Sequence, residues 1–295
     1  MHSEELTKIV KESGLISADA SFTITPFVNS EDGEEYSVWL ISSGECRFVL
    51  KKAKGQELSI YKTYLSGILG VPRLLHATGD YLFLEYIEGK PLFKLTKKEI
   101  TLVIDALINV QSRYWQADEK SVGISFKKSL ESRIERGKFL CDADLEAEYE
   151  KFIELYKSMP RTLCHDDLLP FNAIIQENEE KAVIIDWEFA GVLPYPTSLA
   201  RLIAHTKESE NDFFFMREED KEFAILYYFD NFIKDKGIPF SEYKKAVDLF
   251  IFYEYCEWIM LGNKYSDADM VRFEEYKQKA KKHINKGAEY GSQEI

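Results

Sequence analysis

The period of the apolar pattern changes once along this chain, near residue 90. Up to Gly89 and Pro91, short runs alternate apolar and polar residues and are separated by turn residues. Beyond them, apolar side chains return every three or four positions over long stretches. Strand-like and helix-like halves cannot share one layer, so the chain is expected to be α+β and two-lobed, with a strand-rich N-terminal lobe (1–89) and a helical C-terminal lobe (90–295). The N-terminal lobe opens with a helix over 3–13, set between Ser3 and Gly14. Extended segments follow at 21–29, 35–42 and 45–51, the last two joined by a turn at Ser42-Ser43-Gly44. A helical run over 56–69 stops before Gly70 and Pro72, and two more strands flank Gly79-Asp80. In the second lobe, helices are predicted at 97–117, 126–139, 143–158, 195–206, 218–235, 241–262 and 266–285, ahead of a frayed polar tail from Lys286. The stretch 162–187 interrupts them as a loop and two short strands, turning at Glu177-Asn-Glu-Glu180.

Bulk properties exclude several functions. An apolar content of 45% and an aromatic content of 14% are those of a folded protein. A net charge of −13 lacks the basic footprint of a nucleic-acid binder and suits a cationic or neutral small partner. The charged N-terminus has no apolar signal core, and no uninterrupted apolar stretch approaches the roughly 18 residues of a membrane span. Cys46, Cys141, Cys164 and Cys256 form no CxxC pair, so they read as reduced, mostly buried thiols of a cytoplasmic protein.

The chemistry concentrates in Cys164-His-Asp-Asp-Leu-Leu-Pro-Phe-Asn172 and, fourteen residues later, in Asp186 at the end of an apolar run. A carboxylate, an amide five residues on and a second acid at a strand end are what phosphoryl transfer requires. Asp167 would orient an acceptor hydroxyl, Asn172 and Asp186 would supply oxygen ligands for Mg²⁺, and His165 would brace the loop of this catalytic pair. Taken alone, the same residues also describe a polar turn and an ordinary strand end.

The first lobe offers matching parts. Alternation in Cys46–Lys51 puts Cys46, Phe48 and Leu50 on one face and Arg47, Val49 and Lys51 on the other. Lys51 would reach the nucleotide phosphates and Val49 would roof the base. Glu57, the only acid of the following helix, would hold Lys51 inward. Residues 84–89 would form the hinge, with the backbone of Glu85 and Ile87 reading the base. Because the backbone does the reading, ATP is expected and GTP stays open.

With these residues in place, the chain resembles the aminoglycoside phosphotransferase and choline kinase-like family, whose fold is similar to that of protein kinases. The family's His-x-Asp-x-x-x-x-Asn pattern falls on His165, Asp167 and Asn172, and its metal aspartate on Asp186 within Ile185-Asp-Trp-Glu188. Its third-strand lysine falls on Lys51, its helix glutamate on Glu57, and its hinge on Glu85 to Gly89. The resemblance runs from about residue 20 to 205 and implies ATP, Mg²⁺ and an alcohol acceptor. Two departures stand out. The family's glycine-bearing phosphate loop is replaced by the acidic Asn29-Ser-Glu-Asp-Gly-Glu-Glu35, and its Asp-Leu-Ala by Ser198-Leu-Ala200, which removes a carboxylate that braces the loop.

Acceptor contacts are expected from the helical lobe. Helical spacing puts Glu254, Glu257, Trp258 and Leu261 on one face, where acids beside an indole would suit an amine-bearing acceptor. The same pattern also describes a core tryptophan edged by solvated glutamates. The acid-rich stretch 208–222 would line an amine site or start a helix. An aminoglycoside-like acceptor is the first expectation, choline or another amino alcohol the second, and a catalytically weak nucleotide-binding protein the competing class.

Overall fold

A computed structural model of the chain describes residues 3–17, 19–28, 33, 35–176, 178, 180–209, 212–265 and 270–291. The acidic loop at 29–35 and the turn at 177–180 therefore lie largely outside the described residues.

Alternating sequence becomes sheet. Strands β1 (Thr23–Val28), β2 (Glu35–Ser43), β3 (Cys46–Lys52), β4 (Leu74–Thr78) and β5 (Tyr81–Glu85) form an antiparallel sheet in the order β1-β2-β3-β5-β4. Two-residue periodicity sorts β3 as expected. Phe48 and Leu50 enter a small core with Trp39, Ile41, Tyr81 and Phe83, closed by Leu6 and Val10 of α1 (Ser3–Glu12). Val49 and Lys51 take the opposite face, and Val49 packs against the larger core.

The helix predicted over 56–69 is shorter. A turn of α-helix, α2 (Glu57–Ile60), runs into a π-turn over Tyr61–Leu65, and the chain is extended again at Ser66. Gly67, with φ at +72°, breaks the run before the Gly70–Pro72 stop.

The second lobe is built on α3 (Lys97–Arg113), α4 (Phe126–Gly137), α5 (Ala143–Ser158), α6 (Pro196–Ala204), α7 (Glu218–Tyr228), α8 (Phe240–Lys264) and α9 (Met270–Gly291). Its large core joins the two lobes, because Ile60, Tyr61, Leu82 and Leu84 pack in one cluster with Ile104, Leu107, Leu163 and Trp187. Thr96 and Glu99 form a reciprocal capping box that starts α3, and Asp142 caps α5. Three short strands, β6 (Lys90–Pro91), β8 (Ala173–Gln176) and β9 (Lys181–Ile184), form a sheet in the order β6-β8-β9 just beyond the hinge.

Gly89 permits that arrangement. A Cβ there would lie 2.4 Å from the Ile175 carbonyl oxygen, so only glycine lets the hinge lie against β8. The sequence reading of 162–187 as a loop and two strands missed another pair, β7 (Arg161–Cys164) with β10 (Gly191–Pro194). Each has four residues, too few for a readable period, and they bracket the motif region on both sides.

Two of the four cysteines depart from expectation. Cys164 and Cys256 are buried, but Cys46 at the β2–β3 turn and Cys141 ahead of α5 are exposed. Burial pushes the Cys164 thiol up to about 12, so it is a protonated core residue. Among the described residues no helix is long and apolar enough to cross a membrane.

Candidate functional site

The ladder between β8 and β9 brings the two candidate metal ligands together. Ala173 pairs with Ile184, and the Ile185 N–H donates to the Asn172 carbonyl at 2.8 Å. Asn172 and the residue after Ile185 thus end up side by side across adjacent strands. The Asn172 amide Nδ2 donates to the Asp167 carbonyl at 2.8 Å, which turns its Oδ1 outward as a neutral oxygen ligand. Asp186 adopts a left-handed backbone with φ at +65°, as does Asp166 with φ at +57°. Non-glycine residues in this region are strained, and here the strained residues flank the motif at both ends.

His165 is fully buried. Its Nε2–H donates to the Ile185 carbonyl at 2.8 Å, its ring packs 4.8 Å from Trp187, and its backbone N–H donates to the Ser198 hydroxyl at 2.9 Å. Burial pushes the ring down to about 4, so it is neutral near pH 7. It ties the loop that carries Asp167 to the strand end that carries Asp186. The carboxylate is missing at this position as expected, and the Ser198 hydroxyl is the group that accepts the His165 N–H.

On the first lobe's side, Lys51 Nζ lies 2.7 Å from Glu57 Oε1 and donates also to Asp186 Oδ1. Its side chain is only 10% exposed. Burial works against its charge, but Asp186 and Glu57 outweigh burial and hold the ammonium above its ordinary range. Burial also opposes ionisation of Asp186, yet Lys51 wins there and keeps the carboxylate below its usual range. Glu57, Asp186 and Glu188 present carboxylate oxygens within 4.8 Å of one another, and Glu57 Oε2 is buried with no hydrogen-bond partner. All-oxygen donors, with Glu57 Oε2 and Glu188 Oε2 both lacking a hydrogen-bond partner, fit a hard divalent cation such as Mg²⁺. The Glu85 side chain binds Arg73 at 3.0 and 3.2 Å, leaving the hinge backbone at Tyr86–Gly89 outside any strand.

The helical side is not the open acidic patch that helix spacing predicted. Glu254 is 3% exposed and pairs with Arg201 at 2.7 Å and His205 at 3.1 Å. Glu257 pairs with Arg201 at 2.9 Å and with Arg136, and accepts from the Tyr253 hydroxyl. Trp258 stacks on Tyr276 with centroids 5.6 Å apart and reaches His205 at 3.4 Å. Burial opposes the Glu254 charge, but Arg201 and His205 override it and pull the carboxyl down to about 2. The acids are real, but each is already matched by a guanidinium, because buried carboxylates need partners. Of the acidic stretch 208–222, Glu218 to Asp220 form the first turn of α7, and Asp220 is buried against Arg217 at 2.8 Å.

Two functional neighbours escaped the sequence reading. Arg201 places Nη2 2.9 Å and Nε 3.2 Å from Asp167 Oδ1. Arg133, sandwiched between Tyr156 and Tyr253 at 4.9 and 4.8 Å, holds Asp166 at 2.7 Å. A signal for Arg201 existed. It is the lone charge in Pro-Thr-Ser-Leu-Ala-Arg-Leu-Ile-Ala, a helix otherwise fit for complete burial. Asp167 remains 26% exposed at its side chain and Asp186 38%, so both carboxylates open to solvent between the lobes.

No curated protein sequence matches the chain. Among solved structures, a Plasmodium vivax ethanolamine kinase is similar with a TM-score of 0.65 at 13% identity, over 96% of this chain and 89% of that one. A choline kinase from Cryptosporidium parvum gives 0.63 at 17% identity, over 97% of each chain. An aminoglycoside phosphotransferase from Alicyclobacillus acidocaldarius gives 0.58 at 13%, over 93% of this chain and 97% of that one. At such identities the likeness establishes the two-lobed kinase-like fold. The family profile of the phosphotransferase enzyme family (APH) matches residues 28–227, about two thirds of the chain and every candidate site residue except those on α8. The chain belongs to the phosphotransferase enzyme family.

Proposed function

We propose that the protein transfers the γ-phosphoryl group of ATP, with Mg²⁺, to a hydroxyl of a small amine-bearing acceptor. The observation that carries this reading is the junction at Lys51, where one buried lysine joins Glu57 of the first lobe to Asp186 of the second. Lys51 would swing between these acids and the α- and β-phosphates. Asn172, Asp186 and the neighbouring Glu188 are the residues that would hold Mg²⁺, which when bound neutralises charge on the transferring group. Asp167, about a quarter exposed at its side chain, would orient the acceptor hydroxyl and take up its proton. The phosphoryl group leaves ADP and forms a new bond to that oxygen. The hinge Glu85–Gly89 and Val49 would contact the base, with ATP preferred and GTP also compatible with a backbone-read hinge.

Charge favours an amine on the acceptor. Around Asp167, four carboxylates (Asp166, Asp167, Glu254, Glu257) face three guanidinium groups (Arg133, Arg136, Arg201), leaving one negative charge in excess. The aromatic rings of Trp258 and Tyr276 border the same cluster, and cations are attracted to such faces. An aminoglycoside-like amino sugar is the first acceptor class and choline or another amino alcohol the second. The structural neighbours include kinases named for both kinds.

The test is a screen of ADP release from MgATP over aminoglycosides, choline, ethanolamine, neutral sugars and nucleosides. Acceptor-dependent release is expected with one amine-bearing class and not with neutral sugars. Stimulation by neutral acceptors alone would overturn the amine. A melting shift with MgATP but no acceptor-dependent release from any class would favour a nucleotide-binding protein without turnover.

A further inference from the structure

Arg201 is placed as no simple brace would be. On α6 every other residue from Pro196 to Ala204 is buried, so the arginine is the one charge that helix carries toward the site. Its guanidinium uses two edges. Nη1 is anchored on α8, 2.7 Å from Glu254 Oε2 and 2.9 Å from Glu257 Oε2. The opposite edge, Nε and Nη2, grips Asp167, and both nitrogens bind the same oxygen, Oδ1. The Asp167 backbone is fixed independently, since its carbonyl accepts from the Leu169 N–H and from Asn172 Nδ2, each at 2.8 Å. With the backbone pinned and Oδ1 occupied, one side-chain oxygen of Asp167 is left to receive a hydroxyl.

Resting on the phosphotransferase reading above, we infer that Arg201 is a positioning residue for phosphoryl transfer. It clamps Oδ1 of Asp167 so that Oδ2 is presented to the acceptor oxygen, and Glu254 and Glu257 serve the reaction by anchoring Arg201, not by binding the acceptor's amine. Orientation of this kind is what phosphoryl transfer draws on, because its loose transition state leaves the protein mainly a positioning task. A tie between α6 and α8 would need only the Glu254 contact. The second edge of the fork, spent on the base, has no such purpose. Only a planar fork reaches both sides at once, which a lysine ammonium cannot do.

The experiment uses the full chain and MgATP, with water as the phosphoryl acceptor, and measures ADP release and melting temperature for Asp167→Ala, Arg201→Lys, Arg201→Ala and Glu254→Gln. For Arg201→Lys, kcat should fall about 10- to 100-fold, the loss expected when a reacting group is misplaced by an ångström, while KM for MgATP stays within about twofold. Methylguanidinium should restore part of the Arg201→Ala rate, and Glu254→Gln should lower kcat by a smaller factor, again at unchanged KM. Should Arg201→Lys and Arg201→Ala melt earlier yet keep the wild-type kcat, the residue is structural and the inference is overturned. The underlying reading fails separately: if Asp167→Ala itself keeps the wild-type rate, Asp167 is not the group being positioned.

Discussion

On the proposed nucleotide side of the site a single lysine bridges two acids; on the proposed acceptor side three arginines share four carboxylates. Both are buried charge clusters, yet they are built differently. Lys51 joins residues from separate lobes, Glu57 and Asp186, by one flexible ammonium that can trade partners. Arg201, Arg133 and Arg136 are planar and paired with acids of other elements, Arg133 between two tyrosine rings, and they fix their acids in place. The difference separates two tasks. Phosphates must be gripped and released, whereas the group that receives the acceptor proton must stay put. The helical face thought to bind an amine directly through Glu254 and Glu257 is better described as the support of Asp167.

The sharpest way to break the first half of the contrast is Asp186→Ala. It removes a charged metal ligand and the interlobe partner of Lys51, so turnover should fall at least about 1000-fold, and the Mg²⁺-dependent part of the nucleotide melting shift should vanish. An intact Mg²⁺ dependence would place the metal elsewhere. Lys51→Met should follow with a loss of about 100-fold in kcat/KM for ATP, measured by coupled ADP release. A loss confined to the acceptor's KM would contradict its assignment to the phosphates.

The acceptor-side cluster makes a prediction about pH. Glu254 is held at about 2 in the folded chain against an ordinary 4.5. A carboxyl so depressed adds stability that is complete above pH 4.5 and is lost as pH falls toward 2. The groups facing it are Arg201 and His205 of the α6 end and Glu257 of its own helix. Unfolding in urea between pH 5 and 3 should therefore show a steep loss of stability in the wild type. In Glu254→Gln the fall should be shallower by a few kcal/mol, and equal slopes would contradict the pairing. The smallest effect expected is at the brace. Ser198→Ala leaves the buried His165 N–H without an acceptor and should cost about 1–3 kcal/mol in the same denaturation. A Ser198→Asp variant offers that N–H a charged acceptor and should keep the stability that alanine loses.

Much of the site could be read because its parts lie close in sequence or at a strand's end. Asp167 and Asn172 are one loop apart, Asp186 closes an apolar strand, and period-two alternation was enough to put Lys51 and Phe48 on opposite faces of their strand. The Lys51–Glu57 pair was legible for the same reason, since six residues separate its members. Long-range partners left no local trace. Arg201 meets Asp167 across 34 residues and Glu254 across 53, and only the oddity of one charge on an apolar helix pointed to it. Helical spacing correctly grouped Glu254, Glu257 and Trp258 but was silent on what faces the two acids, and two arginines, Arg201 and Arg136, do. The π-turn at Tyr61–Leu65 and the four-residue strands β7 and β10 were missed because each is too short for its period to repeat legibly.

The central claim is that Asp167 receives the acceptor proton while the Lys51–Asp186 junction handles the nucleotide. Asp167→Asn, compared with wild type for ADP release and for the MgATP-dependent melting shift, tests it most directly. A loss of about 100- to 10,000-fold in release with the melting shift retained is the predicted result. Release at the wild-type rate, or a melting shift lost together with the rate, would contradict it.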